Sequence, residues 1–244
     1  IAFVFSISVK AQNGNYISLK QKTEVLDNRK KATKKVDLYF DKEKQVITKY
    51  YYSSPDFVTV VNPFGEVKTY YPERNEVAYE QLPELSSKRT LIYYFSNNFI
   101  EDLGLVDEGF RLVSNEFEGQ YYVTTWQPPS TLRGIITVKM VFENGLPVYS
   151  EYQASKENIL KKIYYTNYKD FKQFRLPMNI VEISYIPSKD SIISRTTFSD
   201  VKVSWSDDSP YFNFHLPEDA KQTPNSKQNE LFHAGFRDGF FARI

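Results

Sequence analysis

The sequence of 244 residues contains no cysteine. This absence excludes disulfides, thiolate metal sites, a cysteine nucleophile and a cysteine-linked lipid anchor. An excess of charge of one sign is also missing, because 31 Lys and Arg balance 30 Asp and Glu. Domains that bind nucleic acids concentrate basic side chains on one face, so a nearly neutral chain argues against a nucleic-acid partner.

Recognisable catalytic and metal-binding motifs are missing as well. The only histidines, His215 and His233, are not spaced like paired metal ligands. There is no Gly-rich phosphate loop, G-x-S-x-G elbow or H-E-x-x-H helix. The densest acidic pair, Asp207-Asp208, lies between serines and before Pro210, which is typical of a turn. We therefore expect no enzyme, cofactor or metal. A polysaccharide-cleaving pair of distant carboxylates is the remaining catalytic alternative.

No apolar run is long enough to span a membrane as a helix. The first nine residues, Ile1–Val9, are mostly apolar and precede Lys10-Ala11-Gln12. This pattern is typical of the end of a secretory signal, with Val9 and Ala11 at positions −3 and −1. We expect residues 1–12 to be a signal-peptide remnant, cleaved after Ala11, and the protein to be periplasmic. An ordinary buried first strand is the alternative interpretation.

Aromatic residues are abundant, with 19 Tyr, 19 Phe and two Trp. Such residues favour pleated, packed surfaces, and short alternating segments separated by turn residues predict an antiparallel sheet in a single domain over 13–220. The clearest hairpin joins two strands through Asn144-Gly145, a dipeptide suited to a type I′ turn. The predicted strands are Lys35–Asp41, Gln45–Tyr52, Phe57–Asn62, Glu66–Tyr71, Phe110–Phe117, Gln120–Gln127, Ile136–Glu143, Pro147–Ala154, Ile159–Tyr168, Leu176–Ile186 and Ser191–Val203.

The alternation within the strands predicts the shape of the sheet. Ile136, Val138, Met140 and Phe142 share one face of their strand. Other strands, including Val181–Tyr185, place apolar or amphipathic groups on both faces. This favours a strongly curved sheet that packs on one side and lines an apolar hollow on the other, with those four residues in the cavity wall. A β-sandwich with two ordinary inner faces is the alternative.

One segment interrupts the strand pattern. Leu85–Leu103 is long, begins near Ser86 and Ser87, and is followed by Gly104, a plausible helix stop. The spacing predicts an amphipathic helix that lies on the sheet as a lid, with Phe95 and Phe99 facing the cavity. The residues on its apolar face are Leu85, Ile92, Phe95, Phe99 and Leu103.

The last 24 residues, 221–244, form a separate region. Lys221–Asn229 is polar and is predicted to be a linker. An apolar stripe follows, with one large apolar side chain at every fourth position. A helix of this length is only marginally stable by itself in water, and its apolar side chains need a surface to pack against. We expect it to dock on an envelope protein or membrane surface, and packing on its own domain is the alternative. The docking residues are Phe232, Phe236, Phe240 and Ile244.

The pattern as a whole resembles the LolA-like lipoprotein carriers. The likeness rests on KKATKKVDLYFD near the start, Ile136–Glu143 with its Asn-Gly turn, KKIYYTNYKD, Leu176–Ile180 and a closing FNFHLP at 212–217. It implies an all-β-dominated half-barrel whose concave apolar face, covered by helices, holds lipoprotein acyl chains during transit to the outer membrane. The closing segment would be a final strand.

The chain also departs from that family pattern. It has less helical lid, and its C-terminal segment has no counterpart. The family's functional arginine is not assigned, since Arg29, Arg89, Arg111 and Arg133 are all candidates.

Two non-catalytic functions remain. The first is a carrier of lipoprotein acyl chains or another lipid in an apolar cavity. The alternative is an envelope scaffold of the same fold that docks through its C-terminal segment. A carrier needs an open apolar hollow, whereas a scaffold would fill it with its own side chains.

Overall fold

The computed structural model describes residues 14–27, 30–186 and 191–223. The predicted signal remnant, 1–12, and the docking residues Phe232, Phe236, Phe240 and Ile244 lie outside the described residues.

The first half of the chain is an antiparallel meander. Alternating residues point to opposite faces, so β1 buries Ile17 and Leu19 while Lys20 and Lys22 stay exposed. The strand Glu76–Gln81 was missed in the sequence because Glu80 and Gln81 interrupt its apolar alternation. The strands are β1 (Tyr16–Asp27), β2 (Lys30–Asp41), β3 (Val46–Tyr52), β4 (Phe57–Val61), β5 (Glu66–Tyr71) and β6 (Glu76–Gln81).

The second half is another antiparallel meander, followed by one short parallel strand. Its central hairpin has the predicted turn, with φ of 52° at Asn144 and 75° at Gly145. The strands are β7 (Arg111–Glu118), β8 (Tyr121–Gln127), β9 (Thr137–Glu143), β10 (Leu146–Gln153), β11 (Ile159–Asp170), β12 (Arg175–Ser184), β13 (Ile192–Ser204) and β14 (Lys221–Gln222).

The two meanders join into one sheet of 14 strands through the pairing of β1 with β13. The spatial order is β14-β6-β5-β4-β3-β2-β1-β13-β12-β11-β10-β9-β8-β7. Strand β6 and strand β7 therefore lie near opposite edges, although only residues 82–110 separate them in sequence. We call residues 82–110 the connector. We call the sheet face that it covers the inner face. The mostly antiparallel, mostly β architecture predicted from the sequence is confirmed.

The connector is less helical than predicted. It contains 3₁₀ turns at Pro83–Leu85 and Ser87–Arg89, followed by one α-helix, α1 (Leu91–Ser96). Thr90 caps the start of α1, where its hydroxyl accepts the Tyr93 N–H. Asn98 has a φ of 58° just after the helix, which ends the helical path. The prediction of a helix that continues to Leu103 is wrong, because Asn97 Nδ2 donates to Tyr93 O at the last turn and the backbone leaves the helical conformation at Asn98.

The main core lies between the connector and the inner face. Ile92, Tyr94 and Phe95 of α1 pack in one buried cluster with apolar residues of β1–β3 and β8–β13. Leu85, earlier in the connector, packs with Val61 and Val67 of the first meander. The connector thus contacts both halves of the sheet.

Two predictions for the end of the domain are wrong. Residues 212–217 do not form a closing strand, since 212 and 213 lie in a turn and 214–217 have no regular secondary structure. Phe212 packs edge-on against Tyr16 and Tyr39 outside the core cluster. Lys221 and Gln222 belong to the sheet rather than to a linker, because β14 pairs with β6 and the Thr223 N–H donates to Val77 O (2.8 Å). A two-residue polar strand has no alternation by which the sequence could indicate it.

Candidate functional site

The candidate site is the apolar region between the inner face and the connector. The registers bring Val138 beside Tyr152 and Trp126, and Met140 beside Ser150 and Thr124. Residues directly opposite one another in antiparallel strands project from the same face. The strand pairing therefore builds a wall from several strands.

Four of the predicted cavity residues lie in this wall or against it. Val138, Met140 and Phe142 of β9 are buried in the main cluster, and so is Phe95 of α1. The Phe95 ring lies 6.2 Å from the Tyr165 ring and 6.1 Å from the Tyr168 ring, both on β11. The structure therefore brings the predicted lid residue Phe95 into one cluster with three of the four predicted wall residues. Contact of these residues with a ligand stays a prediction.

The predicted burial of Ile136 and Phe99 is wrong. Ile136 is 49% exposed because it precedes the first β9–β10 pair, Thr137 with Gln153, and the preceding Ile135 is buried instead. Phe99 is 54% exposed because it follows the end of α1, so helical spacing no longer places it beside Phe95. Neither residue belongs to the buried cluster.

The wall is closed in this structure. Val138 and Phe95 have 0% exposure and Met140 has 1%. A side chain without exposed surface borders no space large enough to admit a water molecule. Packed side chains of the main cluster, which includes Ile92, Tyr94 and Phe95 of α1, therefore fill the space beside these residues.

Polar contacts hold the connector at several points. The Lys42 ammonium donates to Ser96 O (2.9 Å), and Asn98 Nδ2 donates to Gln173 O (3.0 Å). The guanidinium of Arg89 pairs with Glu108 at 3.1 Å within the connector itself. Each such contact contributes about 1 kcal/mol, so apolar packing supplies most of the holding energy.

A close approach inside the connector fixes the ring of Tyr94. Gly104 has a φ of 90°, and a Cβ at this position would lie 2.0 Å from the Tyr94 hydroxyl oxygen. Tyr94 is itself almost fully buried. Glycine is therefore required at residue 104 both for its backbone conformation and for the space that it leaves.

A second inner-face region, in the first meander, was not predicted. Tyr51 stacks on Phe57 with ring centroids 4.3 Å apart, and the Lys34 ammonium lies 4.6 Å from the Tyr51 ring centre. Lys49 is buried two residues from Tyr51, and burial, together with the charge of Lys34, lowers its pKa to about 8. Its alternation with Ile47 and Tyr51 was the available signal, because it places a lysine on an otherwise apolar face.

Hydrogen bonds connect polar groups of the inner face near its centre. Gln21 Nε2 donates to Thr23 Oγ1 (3.2 Å), and the Thr23 and Thr196 hydroxyls lie 3.1 Å apart. The Lys161–Glu182 ion pair, at 3.3 Å, joins β11 to β12. These side chains satisfy one another's hydrogen-bonding and charge requirements, so they favour this strand register and do not form a catalytic site.

Neither a metal centre nor a membrane-spanning helix is present in the described ranges. Residues 14–27, 30–186 and 191–223 contain no group of three His, Cys, Asp or Glu side chains placed to hold a metal ion. Within the same ranges, no helix is long and apolar enough to cross a membrane.

Comparison with family models and with curated proteins finds no match. Comparison with solved structures finds similar folds. A LolA superfamily protein from Nitrosomonas europaea is 13% identical, with a TM-score of 0.53 over 82% of this chain and 90% of the other. A domain from Vibrio parahaemolyticus, described as outer-membrane lipoprotein-sorting, is 15% identical, with a TM-score of 0.52 over 82% and 89%. A DUF1329 family protein from Desulfovibrio piger is 13% identical, with a TM-score of 0.53 over 82% and 90%.

These three structures match most of their own length and most of this chain, at sequence identities that establish the fold alone. The resemblance found in the sequence is thereby confirmed at that level, and the chain has the LolA-like fold.

Proposed function

We propose that the protein is a non-catalytic periplasmic carrier that binds lipoprotein acyl chains, or another lipid, for delivery to the outer membrane. The binding region is the apolar space between the inner face and the connector. The observation that supports this proposal most strongly is the apolar inner face covered by a connector with one short helix, in a fold shared with lipoprotein-sorting domains.

Loading beside Val138, Met140 and Phe95 requires the connector to move, because no free space borders these three side chains. Exposing the three large α1 side chains Ile92, Tyr94 and Phe95 costs about 5–9 kcal/mol, at about 1.5–3 kcal/mol each. An acyl chain of about 16 carbons gains about 12 kcal/mol on burial, at about 0.8 kcal/mol per methylene. The two terms are of similar size, which suits a carrier that must both load and release its cargo.

An engineered disulfide tests the movement of the connector. The chain has no cysteine, so an Asn98→Cys, Gln173→Cys variant contains a single pair at the point where Asn98 contacts Gln173 O. We expect the oxidised variant to lose binding of a fluorescent fatty acid and the reduced variant to bind like the wild type. Undiminished uptake by the oxidised form would make α1 a fixed packing element.

The alternative candidate is a non-catalytic envelope scaffold of the same fold. It is supported by the burial of Val138, Met140 and Phe95, since a scaffold would fill its hollow with its own side chains. In this case the fatty-acid probe would bind neither the oxidised nor the reduced protein, and lipid would not accompany the protein purified from its compartment.

The proposal also assigns roles to the N-terminal and C-terminal regions of the chain. Residues 1–12 would direct export, the carrier domain would run from residue 13 through β14, and the residues after β14 would include the docking segment. The stripe Phe232, Phe236, Phe240 and Ile244 would bind an envelope protein. Hydrogen exchange tests this, because a partner-docking segment has unprotected amides at 236–241 in the isolated protein. Strong protection there would favour packing on its own domain.

A further inference from the structure

Strand β7 is an open edge of the sheet. It pairs with β8 on one side, and no other strand of the described residues lies on its second side. All eight of its residues, Arg111–Glu118, are exposed. The opposite edge differs, because β14 covers part of β6 there. An uncovered edge presents backbone N–H and C=O groups that can pair with another strand.

Large apolar side chains are exposed along the same strand. Leu112 and Val113 are about half exposed, and Phe117 is 77% exposed. Exposed apolar groups beside an open strand edge are typical of a pairing surface, since protected edges more often present lysine, proline or a covering segment.

The order of residues along β7 is self-complementary. An antiparallel pair centred on Asn115 of each copy places Arg111 opposite Glu118 and Leu112 opposite Phe117. In the β7–β8 pair, Val113 is the extra residue of a bulge between Leu112 and Ser114. In the pair of two copies, Val113 and Ser114 of one copy therefore lie together opposite Glu116 of the other. Opposite charges and apolar groups are thus matched, and the two-fold symmetry repeats each match.

The faces of the strand agree with this arrangement. Leu112, Asn115 and Phe117 pair with Trp126, Thr124 and Tyr122 of β8, so the three residues share the inner-face side. Arg111 and Glu118 pair with Gln127 and Tyr121 and share the outer side. A two-fold axis perpendicular to the sheet preserves faces, which places each proposed pair on one side of the joined sheet.

We propose that β7 is a docking edge for a second copy of this chain, which pairs antiparallel through Arg111–Glu118. The joined sheets have their inner faces on the same side. This surface is separate from the buried wall, so the proposal does not depend on lipid binding. Charge complementarity selects a second copy over a strand of unrelated sequence.

A charge exchange tests the proposal by sedimentation velocity over a concentration series. Arg111→Glu and Glu118→Arg each create two like-charge pairs in a homodimer, and each should weaken association about tenfold. The double variant should restore it. An equimolar mixture of the two single variants should also associate, because a heterodimer then has opposite charges at both pairs.

Phe117→Ser provides an independent apolar test. It should weaken association about tenfold or more without unfolding the domain, because this side chain is already exposed. Phe64→Ser is the matched control, since Phe64 is 76% exposed at the β4–β5 turn. A wild-type chain that stays monomeric at all concentrations would overturn the proposal. So would association that neither charge reversal nor Phe117→Ser weakens, which would point to another surface.

Discussion

Replacing Gly104 with alanine should destabilise the connector through two separable effects. The residue has a φ of 90°, and an added Cβ would lie 2.0 Å from the Tyr94 hydroxyl oxygen and 2.4 Å from Cζ of the same ring. An L-residue in a left-handed conformation costs about 1–2 kcal/mol. Forcing a buried ring aside costs about 1–3 kcal/mol more. We therefore expect Gly104→Ala to lower the free energy of unfolding by about 2–5 kcal/mol.

Gly134→Ala separates the two effects. Gly134 has a φ of 92°, and no atom lies within 4 Å of the position of its added Cβ. This variant should lose only the backbone cost of about 1–2 kcal/mol. Urea unfolding, followed by circular dichroism, measures both variants against the wild type. Equal destabilisation by the two substitutions would refute the inference that the close approach of Tyr94 leaves no space for a Cβ at residue 104.

Two further predictions concern the inner face. Met140→Asp should destabilise the fold by at least 3 kcal/mol because it buries a charge, whereas Ile136→Asp should cost about 1 kcal/mol or less at an exposed position; similar thermal melts would contradict the assigned faces. The pKa of Lys49 in the folded protein is about 8, below the ordinary value of 10.5. Burying the charged amine therefore lowers the free energy of unfolding most below pH 8, and this cost disappears as the pH rises toward 10.5. Relative to Lys49→Met, the wild type should gain about 3 kcal/mol in stability as the pH rises from 8 to 10.5, and a pH-independent difference in urea unfolding would show that Lys49 is not buried.

The sequence predicted the repetitive part of the fold well. Glu66–Tyr71 was predicted with the bounds it has, and the Asn144-Gly145 turn has the expected positive φ angles. Alternation and turn chemistry are local, so they are readable in a single sequence. The central pairing of β1 with β13 joins residues 167 to 188 positions apart, from Leu26 with Ile193 to Tyr16 with Ser204, and local patterns contain no information on it.

The candidate site was only partly predictable. Val138, Met140, Phe142 and Phe95 were placed together by combining strand alternation with helical spacing. The prediction for Phe99 failed because α1 ends at Ser96: Asn97 Nδ2 donates to Tyr93 O at the last turn, and Asn98 then has a φ of 58°. The prediction that Ile136 is buried failed because β9 begins one residue later, at Thr137. The burial of the wall depends on the path of the connector across the sheet. That path follows from the order of the strands in the sheet, and no local sequence pattern encodes it.

The carrier proposal is tested most directly by native mass spectrometry of protein purified from its own compartment. It predicts a population whose added mass equals that of a lipid or an acylated protein. It also predicts that this mass is absent from protein with the oxidised Asn98→Cys, Gln173→Cys disulfide. Wild-type protein that is free of lipid mass, and remains so after incubation with lipid vesicles, would contradict the carrier function and favour the scaffold.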